Sequence, residues 1–228
     1  MIVDSRVSIH FGVNFVLAPQ PVLDSRHNLD FQGALADAGL KFTNVQHTSD
    51  RIVLYRDSPP LQVDVLRQPG PPVGQLRVLG PQPARTLEEF AEEADMARDA
   101  FGEAWPGALQ VVQRDCTIRQ VYDVESDHSF RWLWEERLGQ SEENLAAFGR
   151  HIQGGGLRFV FPPSEDEVDG PGVEVKIESL LRDPSKLFVD VALTWSTHTS
   201  ELAPSGLLEE TERYATTEVV AFITGEIT

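Results

Sequence analysis

From Val7 to Leu17 every second residue is apolar: Val7, Ile9, Phe11, Val13, Phe15 and Leu17, with Ser8, His10, Gly12 and Asn14 among the residues between them. A period of two over this length predicts a strand, Arg6 to Leu17, with one face more buried than the other. Pro19 and Pro21 end it. The period then changes. Asn28 can cap a short helix running to Ala38, stopped by Gly39, with Leu29, Ala34, Leu35 and Ala38 turned to the core. Strand patterns return from Leu40 to Arg56, broken near Thr48-Ser49-Asp50, then from Leu61 to Arg67 and from Val73 to Leu79. The turns between them are Asp57-Ser58-Pro59-Pro60 and Pro69-Gly70-Pro71-Pro72. After a linker, Gly80 to Arg85, Thr86 and Glu89 form a capping box. Behind it Leu87, Phe90, Ala91, Ala94, Ala97 and Phe101 recur at helical spacing through Ala104, with Glu88, Glu92, Glu93, Asp95 and Asp99 on the opposite side.

The same succession follows a Trp105-Pro106-Gly107 turn. Leu109 to Val124 reads as a strand with Val112, Cys116, Ile118, Tyr122 and Val124 on one parity. Ser126 or Asp127 can cap a helix through Phe130, Leu133, Trp134 and Leu138, and a second short helix spans Glu142 to Arg150. Gly154-Gly155-Gly156 leads into a strand at Leu157 to Phe161, and an acidic loop, Ser164 to Gly172, into another at Val173 to Leu181. Leu187 to Trp195 alternates without a break, Ala203 to Gly206 is a linker, and Leu207 to Ile223 is the last helix, with Leu208, Thr211, Ala215, Val219 and Phe222 on one stripe.

The pattern therefore runs strand, helix, three strands, long helix, twice. A period of roughly 115 residues is too long for a solenoid. It predicts an α+β fold: a pseudo-twofold duplication of a β-α-β-β-β-α unit, residues 1–105 and 106–228, forming one continuous globular body whose antiparallel sheet carries its helices on one face. Identity between the halves is poor, so the repeat is one of pattern. On this element order the chain resembles the saddle of TATA-binding-protein-like folds, and also the duplicated effector-binding domains similar to the gyrase-inhibitor and SOUL haem-binding groups. The resemblance covers most of the chain and implies no particular site residue. Saddles that bend DNA use an apolar or basic face with wedging aromatics. Here the less buried parity offers Ser8, His10 and Asn14, then Gln113, Asp115, Thr117 and Arg119, a polar face of mixed charge.

Charge narrows the partners. With 36 acidic and 19 basic residues the chain carries −17, a field that repels a phosphate backbone. Direct nucleic-acid binding is disfavoured, while solubility or a basic partner suits the acidity. No apolar run approaches the ~20 residues of a membrane helix, and the start Met1-Ile2-Val3-Asp4 does not read as a signal peptide. One cysteine, Cys116, excludes an intramolecular disulfide and a cysteine metal cluster. The expected location is the cytoplasm.

The chemistry-bearing residues form no established motif. His10, His27, His47, His128, His151 and His198 show no i,i+4 pairing or Glu-x-x-His spacing, so no metal and no cofactor is expected. His47 and Asp50 lie three apart on an expected loop, and Cys116 shares the parity of Ile118 and reads as a small hydrophobe. The Gly154-Gly155-Gly156 run precedes a strand rather than a helix, which makes it a flexible turn and not a phosphate cradle. Two places remain as binding candidates. His10 could meet Asp115 if the two strands pair, with Arg119 beside them. Arg131-Trp132-Leu133-Trp134 is rich in the residue types of binding hot spots; helical spacing groups Trp134 with Phe130 and Leu138 as core, leaving Trp132 for a partner or ligand. The expected function is a non-enzymatic acidic binding or assembly protein that engages a protein partner or itself, the alternative being a small-ligand-binding domain or an enzyme with a pocket between the halves.

Overall fold

The computed structural model describes residues 1–107, 110–166, 169–196 and 203–226. Nine antiparallel strands form one sheet in the order β2-β3-β4-β5-β1-β6-β9-β8-β7. The strands are β1 (Ile2–Ala18), β2 (Asn44–His47), β3 (Arg51–Asp57), β4 (Pro60–Arg67), β5 (Gly74–Pro81), β6 (Gln110–Asp123), β7 (Gly156–Phe161), β8 (Gly172–Ser179) and β9 (Lys186–Trp195). The helices are α1 (Ser25–Asp37), α2 (Leu87–Ala104), α3 (Ser129–Arg131), α4 (Pro204–Tyr214) and α5 (Val220–Thr224). About the β1–β6 pair, β5, β4 and β3 on one flank match β9, β8 and β7 on the other, and β2 is an additional edge strand without a counterpart.

Alternation explains the layering. The inner parity of the sheet, Phe11, Val13 and Phe15 of β1, Cys116 and Ile118 of β6, Leu76 and Val78 of β5, and Val189 and Val191 of β9, is buried under the helices. Phe90 of α2 packs on Phe11 with ring centroids 5.5 Å apart. Helix α2 begins at the expected capping box, with Glu89 N donating to Thr86 Oγ1 and Thr86 N donating to Glu89 Oε2. Its end is held by Trp105, whose ring stacks on Phe101 and whose Nε1 donates to the Val22 carbonyl at 2.8 Å.

Among the described residues, the linker before α2 carries the most buried ion pair. Arg85 is clamped by Glu93, which also accepts from Arg56 at 2.7 Å. Burial, and Arg56 nearby, push the Arg85 pKa down to about 10.

Several elements differ from the sequence reading. Helix α1 starts four residues earlier, because Asp24 rather than Asn28 caps it, accepting from His27 N at 2.9 Å. Asn28 and Phe31 are then buried, and Leu29 is 66% exposed. The break near Thr48-Ser49-Asp50 separates two strands, β2 and β3. In β6 the buried residue is Val111, not Val112. A register shift pairs Val16 with Gln113 but Leu17 with Val111, and the extra residue reverses the parity. The cap of α3 is His128, whose Nδ1 accepts from Phe130 N, and the helix widens into a π-turn over Trp132–Arg137. The second short helix is a 3-10 segment, Glu142–Phe148. The expected linker at Ala203 to Gly206 is the first turn of α4, with Pro204 at its first position. A π-turn, Ala215–Val219, separates α4 from α5, so that Ile223 is buried in place of Phe222, which is 46% exposed. Leu109, the middle of the acidic loop at residues 167–168 and the linker residues 200–202 lie outside the described residues, as does His198.

Candidate binding site

Two polar rows cross the outer face of the sheet, the face turned away from the helices. The first runs Asp64, Arg77, Asn14, Asp115 over β4, β5, β1 and β6, each residue the direct cross-strand partner of the next. Asp64 sits 3.2 Å from Arg77, and Asn14 Nδ2 donates to Asp115 at 2.7 Å. The second row runs Lys176, Asp190, Arg119, His10 over β8, β9, β6 and β1. Asp190 lies 3.4 Å from Arg119 and 3.6 Å from Lys176. The rows occupy matching places in the symmetric strand order, but their charges differ: the first has an acid at each end, the second a cation at one end and His10 at the other.

This register separates the expected His10–Asp115 pair. Both residues lie on the outer face, but antiparallel pairing sets His10 opposite Arg119 and Asp115 opposite Asn14. Four residues of strand, about 13 Å, part the two rows. No carboxylate orients the His10 ring as the expected pairing required. Burial first, then Arg119, push its pKa down to about 4, so it is neutral at pH 7. The ring lies over Gly12, where a Cβ would come within 2.9 Å of His10 Nε2; glycine is the residue that leaves it room. Asp64 and Asp190 were missed in the sequence, although a signal was present. Each is the middle of a Val-Asp-Val triplet, Val63 to Val65 and Val189 to Val191, and each is nearly buried, at 3% and 7% exposure. Burial raises the Asp64 pKa, opposed by its bonds to Gln62 and by Arg77. Asn14 Oδ1 and Asp190 Oδ1 are buried without a hydrogen-bond partner. Arg119 Nε is likewise without one, so the second row is held by its charge contacts, while the Asn14–Asp115 bond closes the first.

The helix side of the seam holds a second polar chain. Tyr122 Oη donates to Gln120 Oε1 at 2.7 Å, Gln120 Nε2 to Glu212 Oε2 at 2.9 Å, and Arg6 to Glu212 Oε1 at 2.5 Å. This chain docks α4 on β6. Burial pushes the Cys116 thiol up to about 12, which leaves it inert as a nucleophile. His47 and Asp50 do not converge: the His47 ring faces the Leu23 carbonyl, while Asp50 accepts from Thr48. Among the described residues, no three His, Cys, Asp or Glu side chains gather into a group able to hold a metal ion. The Gly154-Gly155-Gly156 run is not a loose turn. A Cβ at Gly156 would sit 2.1 Å from the Ile177 carbonyl, so the run allows β7 to reach β8.

The aromatic segment forms a cleft, with its two tryptophans exchanged relative to expectation. Trp132 is in the core at 6% exposure, beside Leu133. Trp134 is half-buried and stacks on Phe130, with ring centroids 6.0 Å apart and planes 19° from parallel. The spacing of Phe130 and Trp134 was read correctly, but that face looks outward, toward the 3-10 segment. Trp134 Nε1 donates to the Ser141 carbonyl at 3.3 Å. The result is a cleft of about 460 Å³ in which the stacked rings are joined by Arg131, Arg150, His128 and His151 and by two acids, Asp127 and Glu135.

No family model and no curated protein matches the chain. Among solved structures it is similar to the crystal structure of DynU16, a protein of the dynemicin biosynthetic locus, at 14% identity over 94% of this chain and 97% of that one. The TM-score is 0.22, too low for the likeness to carry an argument about fold or function. No helix among the described residues is long and apolar enough to cross a membrane.

Proposed function

We propose that this is a non-enzymatic acidic binding or assembly protein of the cytoplasm, and that it engages a protein partner through the Phe130–Trp134 cleft. The observation that carries this reading is the Trp134 ring, stacked and half-buried in a cleft that also presents Arg131 and Arg150. Tryptophan and arginine are the residue types that dominate binding energy at interfaces. The matching ligand is a partner segment with an apolar or aromatic side chain to cover Trp134 and polar groups of both signs, since Asp127 and Glu135 line the cleft beside its arginines. The polar rows of the sheet support the reading by their inertness: their charged groups are spent largely on one another. The test is affinity enrichment with wild-type protein and with Trp134→Ala and Arg131→Glu, then titration of the purified partner. Trp134→Ala should weaken binding about 30-fold, the size of a hot-spot truncation, with a melting temperature close to wild type. A partner that binds both variants as tightly as wild type would remove the cleft from the interface.

A small-ligand reading has one observation of its own. A cleft of about 410 Å³ lies between the two flanks, lined by Arg6, Ser8, Arg85, Thr86, Glu88 and Glu212. Burial raises the Glu212 pKa there. A thermal-shift screen of metabolites, with Glu212→Gln as control, tests it; a flat response disposes of it.

A further inference from the structure

Strand β7 ends the sheet, and among the described residues nothing pairs with its outer side. Unprotected edges are normally blunted by short length, charge or proline. The opposite edge, β2, follows that rule, with four exposed residues, Asn-Val-Gln-His. Strand β7 does not. It runs Gly156-Leu-Arg-Phe-Val-Phe161 and pairs with β8 without a bulge. Its one charge, Arg158, is 3.0 Å from Glu174. Val160 is 67% exposed and Phe161 45%. On the helix side the edge continues into an apolar groove of about 190 Å³, where Phe222 stands edge-on to Phe159 at 5.3 Å.

We infer that this edge is a homodimer interface, in which β7 of one copy adds antiparallel to β7 of a second across a twofold axis and joins two nine-stranded sheets into one. Of the three registers that centre on Arg158, Phe159 or Val160, one suits the strand. Directly opposed residues of an antiparallel pair lie on the same face, so a twofold axis must centre on a residue. Centring on Arg158 would set two like charges against each other. Centring on Val160 would draw Pro162, which has no amide hydrogen, into the ladder opposite Arg158. Centring on Phe159 sets Leu157 against Phe161 on the groove side and Arg158 against Val160 on the outer side, with Phe159 facing its own copy. Charge decides only where two copies could meet. Two chains of −17 repel over most of their surface, and β7 brings no acid and one cation to the contact. The proposal is independent of the Trp134 cleft and uses none of its residues.

In its own sheet position 160 lies opposite Glu174, which favours lysine there and opposes glutamate, the reverse of the order expected across the dimer contact, so the sign of a charge at this position separates the two effects. Val160→Lys places lysine opposite the partner copy's arginine, twice by symmetry, whereas Val160→Glu places a carboxylate there. Sedimentation equilibrium of the full chain over a concentration series should show a wild-type monomer–dimer equilibrium. Val160→Lys should weaken it at least about tenfold, and Val160→Glu should leave it within about threefold of wild type or tighten it. Val160 is exposed, so both variants should fold, and melting curves verify this. In wild type the β7 amides facing away from β8 should exchange more slowly as concentration rises. A strict monomer up to about 100 μM, a dimer indifferent to Val160→Lys, equal loss with lysine and glutamate, or β7 exchange independent of concentration would each overturn the proposal. Equal loss would mean a merely apolar edge, or one made for a different protein.

Discussion

Outward from the β1–β6 pair the two flanks of the sheet follow the same strand order, yet they finish their surfaces differently. The β5–β4–β3–β2 flank has four strands and a short polar edge, and its helix α2 is an unbroken 18-residue element sealed by a capping box and by Trp105. The β9–β8–β7 flank has three strands and an apolar edge, and its helix begins without a side-chain cap and is interrupted by a π-turn. The Trp134 cleft and the Phe222 groove belong to this second flank. A shared topology therefore does not imply shared duty: the first flank exposes scattered apolar side chains such as Leu29 and Val45, whereas the second gathers Phe159, Phe161 and Phe222 into one groove.

If that contrast is real, equivalent truncations should differ most in the helices. Phe90 of α2 is fully buried against Phe11, and Phe90→Ala should cost about 3–5 kcal/mol by urea unfolding. Phe222 near the end of the second helix is 46% exposed, and Phe222→Ala should cost about 1 kcal/mol or less. Equal losses would mean that the second flank is sealed too.

How much of this was legible depended on what each pattern encodes. The alternation of β1 and β9 named their buried faces because an amphipathic strand has only two choices. Helical spacing did less for Trp132 and Trp134. It says which residues share a face, but not which face looks inward, and with one apolar stripe on each side of a short helix the assignment reversed. The Val111 parity depended on one inserted residue in β6, a register event that lies in the pairing with β1 rather than in either strand alone. His10 and Asp115 were placed on the right face for the same reason that they were not brought together: parity chooses the face, and only register chooses the row. The edge character of β7 was out of reach, because strand order does not follow from strand pattern.

The two polar rows offer a second contrast, in pH dependence. His10 has its pKa depressed from 6.5 to about 4, so the unfolded chain binds its proton more tightly than the folded one. Its contribution is complete above pH 6.5 and is lost as pH falls toward 4, on the order of 3 kcal/mol in all. Asp64 in the other row is shifted the opposite way: burial raises its pKa, so its contribution declines as pH rises out of the ordinary carboxylate range. Wild type minus His10→Gln stability should therefore climb from pH 4 to 6.5, and wild type minus Asp64→Asn should fall as pH leaves that carboxylate range. The groups facing His10 are Arg119, Asp190 and Arg77, and a flat His10 difference curve would mean that water reaches the ring among them.

The smallest effect concerns how the two long helices start. Thr86 caps α2 by accepting from Glu89 N at 3.2 Å, and Thr86→Ala should cost about 1 kcal/mol. Ala203 occupies the same position before α4 with extended backbone, φ −97° and ψ 99°, and gives no side-chain bond. Ala203→Asp supplies the missing acceptor for the amides of Ser205 or Gly206, and its carboxylate suits the positive end of the helix. It should raise stability by about 0.5–1 kcal/mol in urea melts. A gain of that size would trace part of the difference between the flanks to one uncapped turn, whereas a neutral outcome would leave the π-turn at Ala215–Val219 as the feature that loosens the second helix.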